Sequence, residues 1–176
     1  MVVSLSSDSI KLLHKIILES DPHASPGFMN ENMIEGSMER ALTQVYNFEP
    51  FPSVLEKAAV LMYSIIVFHP FIDGNKRTAL LATYFFLFFN GYSLNLSEEV
   101  VQVVLKIADG KMDEKAILEW LKKNTRRPFI LRIFMRLFAS RIGKVVSLEK
   151  MQPAISNVTI QLLEFTKKAW QKVPSS

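Results

Sequence analysis

The stretch VFHPFIDGNKRTALL, Val67 to Leu81, decides how the rest of this chain is read. Its flanks are apolar and spaced for helix packing, SVLEKAAVLMYSIIVF before and TALLATYFFLFFN after. Between them a histidine, an aspartate, a glycine, an asparagine, a lysine and an arginine fall within His69–Arg77. Pro70 ends the first helix near His69, and a second begins about Asn75. The pattern predicts two central helices joined by a short polar turn.

That turn has the chemistry of a phosphate site. A helix start offers unpaired backbone N–H groups and the positive end of the dipole. Gly74 lets a ligand approach the backbone closely. Arg77, one turn into the helix, can grip phosphate oxygens bidentately, and Lys76 adds a second cation. Asp73 is the only carboxylate in the turn, and a hard oxygen ligand beside phosphates points to Mg²⁺. An imidazole titrates near neutrality, which makes His69 the natural general base. Base, metal ligand and anion cradle together describe phosphoryl or nucleotidyl transfer. A plain polar connector explains any one of these residues, but rarely all six at this density.

Composition narrows the setting. The 176 residues suit one domain with a real core, and 49% hydrophobic residues with 13 Phe exclude a disordered chain. There is no cysteine and His numbers only 3, which argues against disulfides, thiolate chemistry and a structural zinc site. The start, MVVSLSSDSIKLLHK, lacks a signal-peptide pattern, and no apolar run is long enough to span a membrane. A cytoplasmic protein is the expectation. The net charge of +4 is unevenly spread. Residues 1–124 carry 11 Lys/Arg against 15 Asp/Glu, whereas residues 125–176 carry 10 against 2.

Helix signals dominate the whole chain. SDSIKLLHKIILES puts Ile10, Leu13, Ile17 and Leu18 on one face, with Ser7 or Asp8 as cap. The turn-rich SDPHASPG leads to a helix over ENMIEGSMERALTQVY, capped by Asn30. NFEPFP reads as an extended loop, and Ser53 with Glu56 forms a capping box for the first central helix. The second central helix stops at Gly91, and helices capped by Ser97 and Asp113 complete the body. TRRP marks a boundary, after which FILRIFMRLFASRI and ISNVTIQLLEFTKKAW read as two further helices. The fold class is all-α, with residues 1–124 a catalytic domain and 125–176 a basic C-terminal helical extension.

HPFIDGNKRTAL resembles the signature of the Fic/Doc superfamily. Fic members carry HPFx(D/E)GNGR, whereas Doc (death-on-curing) toxins have Lys at the second Gly. Lys76 therefore makes this chain closer to Doc. PGF, MIEGSMERAL, EKAA and FFNGY extend the likeness more loosely over residues 8–124. The resemblance implies a compact helical bundle with the catalytic loop between its two central helices. It implies His69 as base toward a target hydroxyl, Asp73 on Mg²⁺, and Gly74, Asn75, Lys76 and Arg77 at the nucleotide phosphates. It also implies a target-docking flap, here Tyr46, Asn47, Phe48, Glu49, Pro50 and Phe51, on which a protein segment adds as a strand. A simple interhelical loop explains that stretch equally well.

Lys76 bears on the reaction. A Gly at this position leaves room for the distal phosphates, so that the hydroxyl attacks the α-phosphate and AMP is transferred. Doc-type members hold ATP reversed and transfer the γ-phosphate. The resemblance thus favours a toxin kinase acting on a protein, with a translation factor as the Doc-like target. AMP transfer is the alternative, and an inactive nucleotide- or protein-binding scaffold a further one. Many Fic proteins carry an inhibitory (S/T)xxxE(G/N) helix, but Glu31 stands where its Ser or Thr belongs. A separate antitoxin is the expected restraint.

Other residues earn no role from sequence. His14 fits a buried or half-buried structural histidine, and His23 an exposed turn. Phe71, Ile72 and the YFFLFF run fit core. Trp120 and Trp170 anchor helices, and Met29, Met33, Met38 and Met62 serve packing. The basic tail could meet nucleic acid, an acidic antitoxin or a membrane surface, or pack on the body with its arginines in water. No transfer group is expected within it.

Overall fold

The computed structural model describes residues 2–143, 145–148, 160–165 and 167–168. Seven helices follow one another: α1 (Ser7–Glu19), α2 (Asn32–Leu42), α3 (Val54–Phe68), α4 (Asn75–Phe89), α5 (Glu98–Ala108), α6 (Glu114–Asn124) and α7 (Phe129–Ile142). Residues 160–165 are helical too, whereas Trp170 and much of the last expected helix lie outside the described residues. Among the described residues strand is confined to four two-residue pieces: β1 (Ser4–Leu5), β2 (Ser93–Leu94), β3 (Thr125–Arg126) and β4 (Val145–Val146). The chain is mostly helical, as its periodicity predicts.

α3 and α4 form the centre. They pack most extensively on each other, with α2 and α6 against α3 and α1 against α4. Ala58, Leu61, Met62 and Ile65 of α3 and Leu80, Leu81, Phe85 and Phe86 of α4 are buried. Helices apolar nearly all round need neighbours on every side, which is why these two are interior.

The caps fix where each helix begins. Ser53 Oγ accepts from Glu56 N–H at 3.2 Å while Glu56 Oε2 accepts from Ser53 N–H at 2.7 Å, the expected capping box. Asp113 caps α6 through Ala116 N–H. Two caps differ from expectation. Ser6, not Ser7 or Asp8, caps α1, because its Oγ reaches Ser9 N–H. α2 starts after Glu31 without a side-chain cap, and Asn30 serves only through its backbone carbonyl.

The expected boundary at Thr125–Pro128 is structured, since β3 pairs antiparallel with β2. Beyond it β4 pairs parallel with β1, and Ser9 Oγ donates to Val146 O while accepting from Leu148 N–H. On α7, Met135 is buried, but Ile130, Phe134 and Leu137 face solvent along with Arg132 and Arg136. Among the described residues no helix is long and apolar enough to cross a membrane.

The segment expected to be an extended loop before α3 is a tight hairpin. Val45 and Phe48 exchange both backbone hydrogen bonds at 2.9 Å, turning at Tyr46-Asn47. Its anchor is Lys57, a buried residue of α3. Lys57 Nζ donates to Glu49 Oε1 and to Phe51 O, each at 2.6 Å. A buried ammonium is tolerated only with such partners. Lys57→Met keeps the stem and removes both bonds, so stability should fall by about 1–3 kcal/mol. Amide exchange should quicken over residues 45–51 while α3 and α4 stay protected. Unchanged exchange over those residues would show that the lysine does not hold the hairpin.

Candidate active site

The turn between α3 and α4 is built around one buried side chain. Asn75 Nδ2 donates to Phe71 O at 2.7 Å, and its Oδ1 accepts from Phe71 N–H at 3.0 Å. Phe71 is thereby fixed in the core with no exposed surface. Ile72, expected in the core as well, is 50% exposed, because alternate residues of this short extended stretch face opposite ways. His69 ends α3 at φ 47°, ψ 57°, and Gly74 precedes α4 at φ 74°. The glycine suits that left-handed backbone; the histidine adopts it against its Cβ.

His69, Asp73, Gly74, Asn75, Lys76 and Arg77 all line one cavity of about 700 Å³. The structure therefore brings together the six residues that the sequence suggested for base, metal and phosphate. The expected flap residues Tyr46–Phe51 are not among the lining residues; Tyr46 is 95% exposed. His69 is exposed, and its Nδ1 lies 3.4 Å from Asn75 Nδ2, too long to lock a tautomer. Its Nε2 has no hydrogen-bond partner among the described residues. The Asn75 side chain is spent on Phe71, so what it offers an anion is its backbone N–H in the first turn of α4.

Residues 4–87 match the family model described as the Fic/DOC family. Over those residues the chain is similar to the Fic/Doc family. It is also 37% identical over 62 residues to a protein named Toxin Doc from Mycolicibacterium smegmatis. That alignment takes in 35% of this chain, and the chain spans about half (48%) of that relative's length.

The rest of the cavity comes from residues that sequence reasoning missed. Ser20, Asp21, Pro22 and His23, after α1, line the same cavity, as does Lys167 from beyond Asn124. The loop after α1 is held there by backbone pairing: Ile72 N–H donates to Gly27 O, and Met29 N–H to Pro70 O. Gly27 suits this crossing because its φ of 125° is a conformation that residues with a Cβ rarely adopt. SDPHASPG was legible as a turn, but nothing in it told which polar residue faces a site fifty positions away. Met29, expected to pack, is exposed on this loop.

Charges in the cavity are matched closely. Arg77 Nη1 donates to Asp21 Oδ2 at 2.8 Å, and Arg77 Nη2 lies 4.0 Å from Asp73 Oδ1. Burial works to raise the Asp21 pKa, but the hydrogen bonds from Arg77 and from His23 N–H, with Arg77's charge, bring it below the ordinary value. Lys76 forms no salt bridge among the described residues, although its charge is felt at Asp109. Asp73 Oδ1 accepts from Gly74 N–H, which leaves Oδ2 without a hydrogen bond among the described residues, on a side chain that is 46% exposed and lines the cavity. One free carboxylate oxygen beside a phosphate cradle fits Mg²⁺, which keeps most of its water and takes one or two protein carboxylates.

His14, of α1, lies directly beneath the turn and is only 4% exposed. Burial lowers its pKa to about 4, against the pull of the Asp73 charge and with the push of Arg77. The folded value is below the unfolded value of 6.5, so on acidification the unfolded chain takes this proton first. Stability is complete in this respect above pH 6.5 and is lost as pH falls toward 4, by up to roughly 3 kcal/mol. Urea unfolding between pH 7 and 4.5 should show the decline, and His14→Phe should flatten it. An unchanged slope in the variant would exclude His14 as the source.

Proposed function

We propose that this chain is a Doc-like toxin kinase that transfers the γ-phosphate of ATP to a hydroxyl of a protein target. The observation that carries the reading is the convergence of His69, Asp73 and the α4 start on one cavity, with Lys76 on its wall. His69 Nε2 accepts the proton of the target hydroxyl as its oxygen bonds to phosphorus and ADP departs with the broken bond. The N–H groups of the α4 start, Lys76 and Arg77 hold the phosphate oxygens and offset their growing charge. Asp73 would hold Mg²⁺, which when bound neutralises phosphate charge. The lysine's bulk and charge at the position where Fic has glycine favour the reversed nucleotide, hence γ- over α-phosphate attack. The relative named Toxin Doc supports the toxin reading. With Glu31 in place of Ser or Thr, restraint by a separate antitoxin fits better than a built-in inhibitory helix.

Incubation with a cell lysate and α- or γ-labelled ATP tests the reaction directly. Label from γ alone is expected, and its transfer should fall about 10²–10⁴-fold in His69→Ala. Circular dichroism should hardly change, because His69 caps a helix and fills no core. Label from α would establish AMP transfer instead, and wild-type turnover in His69→Ala would remove the base.

Lys76→Gly should convert the reaction. It restores the Fic pattern while His69, Asp73 and Arg77 remain, at a helix cost of up to about 1 kcal/mol. Gained AMP transfer with lost phosphorylation is expected. If the variant keeps the wild-type reaction, the lysine does not set the nucleotide's orientation.

A further inference from the structure

His14 is unusual among the buried polar residues. Its ring stacks on Phe71, with centroids 3.8 Å apart and planes 14° apart. Its Nδ1 lies 3.2 Å from Thr78 Oγ1, in the first turn of α4. Its Nε2 is buried without any hydrogen-bond partner among the described residues. A phenylalanine would stack as well and remove the orphaned Nε2, which as a buried unpaired polar atom costs about 1–3 kcal/mol. It would, however, take away the partner of the buried Thr78 hydroxyl. Packing alone therefore does not account for a histidine here.

What the histidine adds is the bond to Thr78. Thr78 N–H donates to Gly74 O at 2.9 Å, so the residue that opens α4 is tied to Thr78 through its backbone. The same glycine sits against the ring: a Cβ at Gly74 would lie 3.3 Å from His14 Cε1 and 3.4 Å from Nδ1. Ring, hydroxyl and glycine close a triangle. The turn cannot sink toward α1 without striking the imidazole, nor rise into the cavity without stretching the Nδ1–Thr78 bond. His14 is absent from the cavity lining, so it acts on the turn from behind.

We propose that His14 is a positioning residue: stacked on Phe71 and bonded to Thr78, it sets the height of the Gly74–Arg77 donors that face the phosphates. The inference deepens the transfer reading above and, for its kinetic consequence, rests on it. Misplacing a reacting group by about 1 Å can cost on the order of a hundredfold in rate. Loss of a single tether behind the turn should therefore matter without touching any reacting atom.

The test uses the full chain with His14→Phe, which keeps the stack and removes the bond. Thr78→Val removes the same bond from the other side and serves if the first variant folds poorly. Native-state amide exchange at Gly74–Arg77 should quicken about tenfold or more, while α3 and α5 remain as protected as in wild type. Thr78→Ser, which keeps the hydroxyl, should restore slow exchange. In the same variants kcat/KM for ATP should fall about tenfold or more with melting temperature held or raised, and the double variant should lose no more than either single. A merely structural histidine would couple any loss of activity to a loss of stability. Folded His14→Phe and Thr78→Val with unmoved exchange at Gly74–Arg77 would overturn the proposal. If wild type transfers nothing from ATP, the proposed function falls, and the exchange data still decide the role of His14.

Discussion

The clamp of Asn75 on the backbone of Phe71 is the constraint from which the site follows. Phe71 is pulled into the core between two helices, where its N–H and C=O would have no secondary-structure partner. Leaving each unpaired would cost about 1–3 kcal/mol, and one amide side chain satisfies both. Closing the turn so tightly dictates the backbone on either side. His69 is held in the left-handed region, a strain of order 1–3 kcal/mol for a residue with a Cβ, and it survives because the turn is fixed at both ends. The imidazole is thereby aimed outward instead of continuing α3. The residue that a signature reading assigns to phosphate binding thus works first as the staple that shapes the turn.

Around this turn the electrostatics are arranged as a competition. Arg77 is already engaged by Asp21, so a phosphate must share or displace that carboxylate to gain the guanidinium. The exchange replaces one charge-assisted pair with another, so its net free energy is smaller than a bare arginine would give. In return the long side chain is held in place before ligand arrives, which lowers the entropy lost on binding. Lys76, without a salt bridge among the described residues, makes no such exchange. A phosphate in this cavity meets that cation without displacing a salt bridge, at the position that separates the Fic and Doc patterns.

How much of this was legible depended on whether the information was local. Helix α3 announces itself through Ser53, Glu56 and an unbroken apolar run, and the turn's chemistry is contiguous from His69 to Arg77. The cavity's other wall is not contiguous. Asp21 faces Arg77 only because Gly27 and Met29 pair with the backbone of Ile72 and Pro70, a contact that leaves no periodicity in sequence. Lys57 was unreadable for a different reason. Lysines are rarely buried, and one becomes so only where a carboxylate and a carbonyl, here Glu49 and Phe51, converge on it. His14 was read as structural, and its burial bears that out, but periodicity gave no sign of the unpaired nitrogen or of Thr78 beside it. Ile72 went wrong because an extended stretch of three residues buries only every second one.

Helix α1 carries the consequence of this arrangement furthest. Its first turn holds the extension, through Ser9 bonded to both Val146 and Leu148 beside the β1–β4 pairing. Its middle holds the turn from behind, through His14, and its end leads into Asp21 on the far wall. One rigid helix of 13 residues thus touches the extension, the turn and the arginine's partner. The close approach of Arg132 to Gly91, where a Cβ would meet its Cα at 3.3 Å, seats α7 at the opposite end of α4. The extension therefore meets α1, which backs the turn, and the far end of α4, which opens at it. The extension reaches the cavity directly at Lys167 and adjoins α1 through the backbone of Val146 and Leu148, whereas His69 and Asp73 belong to the body.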